Sequence, residues 1–99
     1  MATNNTGNKV SISEKDFERI MKALANRRRL AILRFLKTTK DASVGDIADE
    51  IKLSFKATSK HLGVLYAAGI VDREQRSLQM FYHLSSDLPL PARVIISLL

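Results

Sequence analysis

Residues 43–71 read SVGDIADEIKLSFKATSKHLGVLYAAGIV, and this stretch decides the fold. Ser43 followed by Asp46 is an N-cap signature ahead of apolar residues at helical spacing, which predicts a short third helix near 44–52. The next N-cap, Ser54, follows after a turn of two residues. Two helices joined by so tight a turn predict a helix-turn-helix.

The fourth helix, which begins at Ser54, has a recognisable inner face and a recognisable end. Thr58, Leu62 and Leu65 recur at helical spacing and are predicted to pack inward. Gly69 is well placed to end the helix in a left-handed conformation. The remaining positions of this helix therefore face outward.

The chain upstream supplies a polar tail and two more helices. Residues 1–12 lack hydrophobic periodicity and are expected to be flexible. Ser13 begins a further cap signature and predicts a first helix near 14–25. Asn26 can cap a second helix, whose apolar residues cover a broad face and place it near the centre of the domain. The polar interval 37–42 is expected to break the pattern before the third helix.

The chain downstream of the fourth helix changes to strand periodicity. Residues 70–71 begin one strand, residues 79–84 alternate as a second, and residues 75–78 are the expected hairpin tip. Pro91 is the predicted first residue of a last, almost wholly apolar helix. This order of elements is that of a winged helix-turn-helix, a mainly α fold with a small β-hairpin, over residues 13–99.

Composition favours a polyanionic partner. The 99-residue chain has a net charge of +6 and an isoelectric point near 10.0, and summed basic charge attracts nucleic acid. The chain contains no cysteine, which excludes disulfides, thiolate metal sites and thiol redox sensing. It shows no apolar run of signal-peptide or membrane-span length, so we expect a cytoplasmic protein without membrane association.

The outward face of the fourth helix is the predicted DNA-binding surface. Its lysines lack the acidic neighbours at helical spacing that a face built only for solubility usually has. A helix in this position can enter the major groove, while the hairpin reaches the flanking backbone or the minor groove. The predicted DNA contacts are Ser54, Phe55, Lys56, Ser59, Lys60 and His61 on the helix, with Arg73 and Arg76 near the wing as phosphate contacts.

Three of the basic and aromatic features have more than one interpretation. Phe55 can touch a thymine methyl group or tuck against the third helix. His61 can contact the groove or a phosphate through a ring N–H, or it can be a partly buried packing residue. Residues 27–29 are three consecutive arginines. We favour pairing of these side chains within the protein or at an interface, with Asp16 or Asp46 for example, over DNA contact.

The stretches KALANRRRLAILRFL, SVGDIADEIKLSFKATSKHLGVLYAAGIVDRE and FYHLS resemble the ArsR family of winged-helix transcriptional regulators, over roughly residues 17–85. The resemblance implies a homodimer that binds an inverted-repeat operator, usually as a repressor, through residues 54–61. Metal-sensing members carry a Cys-x-Cys pair where this chain has Ser43 and Gly45, and its last helix has no His or carboxylate. No metal and no cofactor are therefore expected, and the sequence does not identify an effector.

The two terminal helices are the predicted dimer interface. The final helix is apolar almost all round, and a single small domain cannot cover all of that surface. A segment of about nine residues is also too short to stay helical alone in water, so packing must stabilise it. The predicted interface residues are Phe17, Ile20, Met21, Leu24, Val94, Ile95, Leu98 and Leu99.

Two other functional classes compete with a DNA-binding regulator. A winged helix can serve as a protein-interaction module whose basic face binds an acidic partner, although the unpaired lysines count against this. An enzyme is the more distant alternative. The chain has two histidines, no Ser-His-acid, phosphate-loop or paired-carboxylate motif, and little room for a substrate cleft.

Overall fold

The computed structural model describes residues 12–99, so all of the predicted tail except its last residue lies outside the described residues. The described chain folds as a winged helix-turn-helix. Its elements, in chain order, are α1 (Glu14–Leu24), α2 (Arg27–Thr39), β1 (Ala42–Ser43), α3 (Val44–Ile51), α4 (Phe55–Ala67), β2 (Val71–Arg76), β3 (Gln79–Leu84) and α5 (Leu90–Ser97).

Polar side chains begin four of the helices, as the sequence predicts. The hydroxyls of Ser13, Ser43 and Ser54 each accept a hydrogen bond of 3.1 Å from the backbone N–H three residues later. Asn26 caps α2 in the same way through its Oδ1. Each bond satisfies an amide that has no partner inside its helix, which fixes where the helix starts.

Left-handed backbone closes the turn after α3 and ends the segment after α4. Lys52 has a φ of 56°, and the Leu53 amide donates back to the carbonyl oxygen of Ala48 over 3.0 Å. Gly69 has a φ of 75°, a conformation that costs a residue without a Cβ very little. Both predictions, the tight turn and the glycine end, are confirmed.

The sheet contains a strand that the sequence did not predict. Three antiparallel strands lie in the order β1-β3-β2, with Ala42 of β1 opposite Tyr82 of β3. The predicted polar break over 37–42 is wrong at both ends, because α2 continues to Thr39 and β1 begins at Ala42. A two-residue strand has no periodicity to detect, and it forms here because β3 offers it a free edge.

The hairpin tip and the start of α5 differ slightly from prediction. Residues 75–78 were the expected tip, but Arg76 pairs with Gln79, so only residues 77–78 form it. The last helix begins one residue before Pro91. Proline is tolerated within the first turn because the N–H that it lacks has no acceptor there.

The core fixes the orientation of α4. Thr58, Leu62 and Leu65 are completely buried, and the two leucines join the central cluster formed with α2, α3 and the sheet. The opposite side of α4 must therefore face solvent. No helix among residues 12–99 is long and apolar enough to cross a membrane.

Candidate nucleic-acid interface

The outward face of α4 carries positive charge without a counter-charge. Lys56 and Lys60 are exposed, and neither takes part in any ion pair within residues 12–99. Ser59 is half-buried between them along the helix. The Ser54 hydroxyl accepts from the Ala57 amide, and the amides of the first turn that have no partner inside the helix favour anions. This face is suited to a chain of phosphates.

Phe55 stands at the first position of α4 and is 63% exposed. Most of its side chain is therefore not covered by α3 or by any other element. Its ring borders a depression of about 120 Å³ that is also lined by Val44 and Gly45 of α3 and by the wing. The side chain is left free for an apolar contact, such as a thymine methyl group.

His61 lies half-buried at the edge of the same helix face. Its Nδ1 is 3.2 Å from Nη1 of Arg29. Because a guanidinium only donates, Nδ1 must accept, and the neutral ring carries its proton on Nε2. Burial, followed by the charges of Arg29 and Arg28, lowers the pKa of His61 below its usual 6.5. The ring is thus neutral near physiological pH, with an N–H donor remaining.

Two of the three consecutive arginines, Arg28 and Arg29, pair within the protein, as the favoured interpretation expects, but with carbonyl oxygens rather than with carboxylates. Arg29 Nε donates to Ala23 O over 2.6 Å and its Nη2 donates to Lys22 O over 3.2 Å, at the end of α1. Arg28 Nη1 donates to Ile51 O over 3.4 Å, at the end of α3. Cations at helix C-termini complement the helix dipole, which offsets their unfavourable position at the start of α2.

The two wing arginines are already engaged by the protein itself. Arg73 stacks on the ring of Tyr66, 3.9 Å from its centroid. Arg76 donates to Asp41 over 2.7 Å and to Glu74 over 3.0 Å. Their predicted role as phosphate contacts stays a prediction, and the partly neutralised Arg76 is the weaker candidate of the two.

The terminal helices α1 and α5 contact one another and leave apolar side chains exposed. We call Phe17, Met21, Val94 and Leu98 the terminal-helix patch; all four are exposed, Val94 to 51% and Leu98 to 76%. The other four predicted interface residues offer less surface to a partner. Ile20 and Leu24 are buried in the core of the protomer, and Ile95 and Leu99 are partly buried against it.

Lowering the pH from about 7 to about 5 is expected to destabilise the fold through His61. Its folded pKa lies below the unfolded value of about 6.5, so the unfolded state takes up a proton first as the pH falls. The stabilisation is complete above about pH 6.5 and is lost as the pH falls toward the folded pKa. Urea unfolding across this range measures the effect.

The variant His61→Asn separates this contribution from other titrations. Asparagine places an acceptor near the position of Nδ1 but does not titrate, so its free energy of unfolding should decline less steeply with falling pH than that of the wild type. An unchanged slope in His61→Asn would contradict the assignment.

Metal ions are expected to leave DNA affinity unchanged. Among residues 12–99, no group of three or more His, Cys, Asp or Glu side chains is arranged to hold a metal ion, and the chain has no thiolate to offer. Titrating Zn²⁺, Cd²⁺ and Ni²⁺ separately into a protein–DNA complex tests this. Release of DNA at micromolar metal would contradict it and would indicate a site shared between protomers.

Comparison with known proteins places these features in a family. Residues 26–73 match the family described as "Bacterial regulatory protein, arsR family". The chain is also 34% identical to the reduced HlyU structure from Vibrio cholerae N16961, with a TM-score of 0.72, over 85% of this chain and 84% of that one. The chain belongs to the ArsR family. Members of this family are transcriptional regulators with a winged helix-turn-helix, not enzymes.

Other ArsR-like relatives add detail about themselves. The transcriptional activator HlyU of Vibrio cholerae serotype O1 is 40% identical over 67 residues, which are 68% of this chain and 61% of the relative, so the match spans about three fifths of the curated protein. A homodimeric winged helix-turn-helix DNA-binding domain from Mycobacterium bovis matches with a TM-score of 0.73 and 26% identity, over 85% of this chain and 74% of that one. The transcriptional repressor PagR of Bacillus anthracis matches with a TM-score of 0.71 and 25% identity, over 85% and 92%.

Proposed function

We propose that this ArsR-family chain is a sequence-specific DNA-binding regulator that acts as a homodimer on an inverted-repeat operator. The observation that carries the proposal is the outward face of α4, where Lys56 and Lys60 have no acidic partner within residues 12–99. The opposite face is locked into the core by Thr58, Leu62 and Leu65. A rigidly held helix with an uncompensated basic face suits the major groove.

The terminal-helix patch supports the homodimer. Four apolar side chains on α1 and α5 are exposed in the protomer. Covering them with the same surface of a two-fold partner removes apolar area from water and so stabilises the dimer. The related Mycobacterium bovis domain is a homodimer. Pairing through this patch would hold two α4 helices about 34 Å apart, one turn of duplex, so that each reads one half-site.

Repression is the proposed outcome of binding, in the cytoplasm where bacterial DNA lies. A dimer that covers an operator can exclude competing proteins from the same DNA, and this needs only the α4 face, the wing and the terminal-helix patch. Related proteins are named for opposite effects on transcription, PagR as a repressor and HlyU as an activator. A reporter gene with the operator overlapping its promoter should lose expression when the protein is present; increased expression would assign activation instead.

Selection from a pool of random duplexes tests the operator. We expect enrichment of two half-sites related by inversion, with centres about 10 base pairs or a multiple of that distance apart. The variant Lys56→Ala/Lys60→Ala is the comparison and should retain far less duplex than the wild type under the same conditions. Recovery of a single unrepeated site would contradict the dimer, and no enrichment by the wild type would contradict sequence-specific binding.

A further inference from the structure

The wing is built as a stiff projection. Next to its tip, Arg76 is held by carboxylates from two different segments, Asp41 before β1 and Glu74 on β2. The same guanidinium lies 4.4 Å from the centroid of the Phe81 ring on β3. Ion pairs that combine with stacking in this way tie the hairpin to the rest of the sheet.

Two further contacts fix the side and the end of the hairpin. Arg73 stacks on Tyr66 and so joins β2 to α4. Near the tip, Gln75 Nε2 donates to the carbonyl oxygen of Ser77 over 2.9 Å, and Ser77 holds a positive φ of 58°. A positive φ at a two-residue tip matches the twist of the paired strands, which keeps the turn tight. The arginines of the wing therefore position it, and the tip itself carries no charge.

The tip carries an unpacked leucine. Leu78 is 95% exposed, so it contributes almost nothing to the core. It borders the same depression of about 120 Å³ as Phe55, the exposed first residue of α4. The tip therefore lies beside the start of α4, which is the end of that helix that carries Lys56.

We propose that Leu78 is an apolar minor-groove contact that reads the deformability of the base steps flanking the α4 half-site. This inference rests on the proposed function, because it takes DNA as the partner of α4. With α4 in the major groove, a rigid hairpin beside its start is placed to reach the adjacent minor groove. Apolar side chains that enter this groove press on a base step and partly unstack it.

Specificity follows from the cost of that unstacking. Pyrimidine–purine steps such as TpA open easily, whereas A-tracts are stiff, so a leucine wedge favours operators with a flexible step under the wing. The leucine needs no hydrogen bond to a base edge for this discrimination. The affinity of the protein for an operator would then depend on base steps that no polar side chain contacts.

Paired operators that differ only at the flanking step test the proposal. We expect the wild type to bind the TpA version roughly fivefold to tenfold more tightly than the ApA version. Leu78→Ala should lose that preference and keep its discrimination between the correct and the scrambled half-site. Gln79→Ala, which alters the first residue of β3 and leaves the leucine in place, is the matched control and should keep both preferences.

A fluorescent base gives an independent readout. 2-Aminopurine placed in the flanking step should brighten when wild-type protein unstacks it, and should not brighten with Leu78→Ala or with the similarly sized polar variant Leu78→Asn. Retention of the flanking preference and of the fluorescence change in both variants would overturn the proposal. Intact DNA binding with a lost effect on transcription would overturn it as well and would assign Leu78 to a protein contact.

These outcomes are distinguishable from failure of the proposed function. If the wild type does not separate correct from scrambled half-sites, α4 is not a reading helix, whatever the wing does. If it separates half-sites but ignores the flanking step, only the role of Leu78 is wrong. Thermal unfolding of Leu78→Ala should match that of the wild type, because the side chain is exposed in the folded protein.

Discussion

The variant Val94→Asp/Leu98→Asp is expected to be monomeric and to bind the operator more than a hundredfold more weakly than the wild type. Both side chains are exposed in the protomer, so the fold does not depend on them. Burying a leucine or valine contributes about 1.5 to 3 kcal/mol, and two per protomer exceed the roughly 2.8 kcal/mol that a hundredfold change requires. A monomer engages one half-site at a time and loses the benefit of the second.

Sedimentation velocity and fluorescence anisotropy measure the two effects. The control is Thr39→Asp/Ser86→Asp, which adds the same negative charge at exposed polar positions and so accounts for the weaker general attraction to DNA. Deleting residues 92–99 is a poorer test, because Ala92 and Ile96 lie in the core and their loss would unfold the protein. A Val94→Asp/Leu98→Asp protein that remains a tight dimer would show that the interface lies elsewhere.

Replacing Lys56 or Lys60 by alanine is expected to weaken operator binding, each in a diagnostic way. Replacing a lysine that reads a guanine should weaken the free energy of binding by about 1 to 3 kcal/mol and relax specificity at one base position. Replacing a lysine that contacts a phosphate should make the slope of log affinity against log salt concentration shallower by about 0.9 and leave the base preference unchanged. Both lysines are exposed, so neither substitution removes a core contact.

The matched control is Lys15→Ala on α1. It removes an exposed lysine and the same unit of charge, but from outside α4 and the wing. Anisotropy titrations against the selected operator and against single-base variants of it, at several salt concentrations, separate the two kinds of contact. Wild-type affinity in both α4 variants would contradict the assignment of α4 as the reading helix.

Local signals made most of the fold predictable. The caps at Ser13, Asn26, Ser43 and Ser54 act through side chains within three residues, so the sequence displays both partners. The inward face of α4 follows from helical spacing alone. β1 could not be predicted in this way, because its two residues are ordered by pairing with β3, about forty positions further along the chain.

The candidate site was less predictable where its contacts involve backbone or distant residues. Arg29 binds carbonyl oxygens at the end of α1, and a carbonyl leaves no mark in a sequence. The sequence indicates a cation on the wing at Arg76 that is available to DNA, but this side chain pairs with Asp41, thirty-five residues away in the chain. The apolar stripe of the first helix predicted Ile20 and Leu24 as dimer-interface residues, whereas both are buried in the core of the protomer. Helical spacing identifies an apolar stripe but not what covers it.

The central claim, that this protein recognises a DNA sequence through α4, is tested most directly by comparing the selected operator with a scrambled duplex of equal length and composition while salt rises from about 50 to about 200 mM. We predict that affinity for both duplexes falls steeply with salt, and that the operator is preferred by about a thousandfold or more. Equal affinity for the two duplexes, or binding that is insensitive to salt, would contradict the claim and would favour an acidic protein as the partner of the basic face.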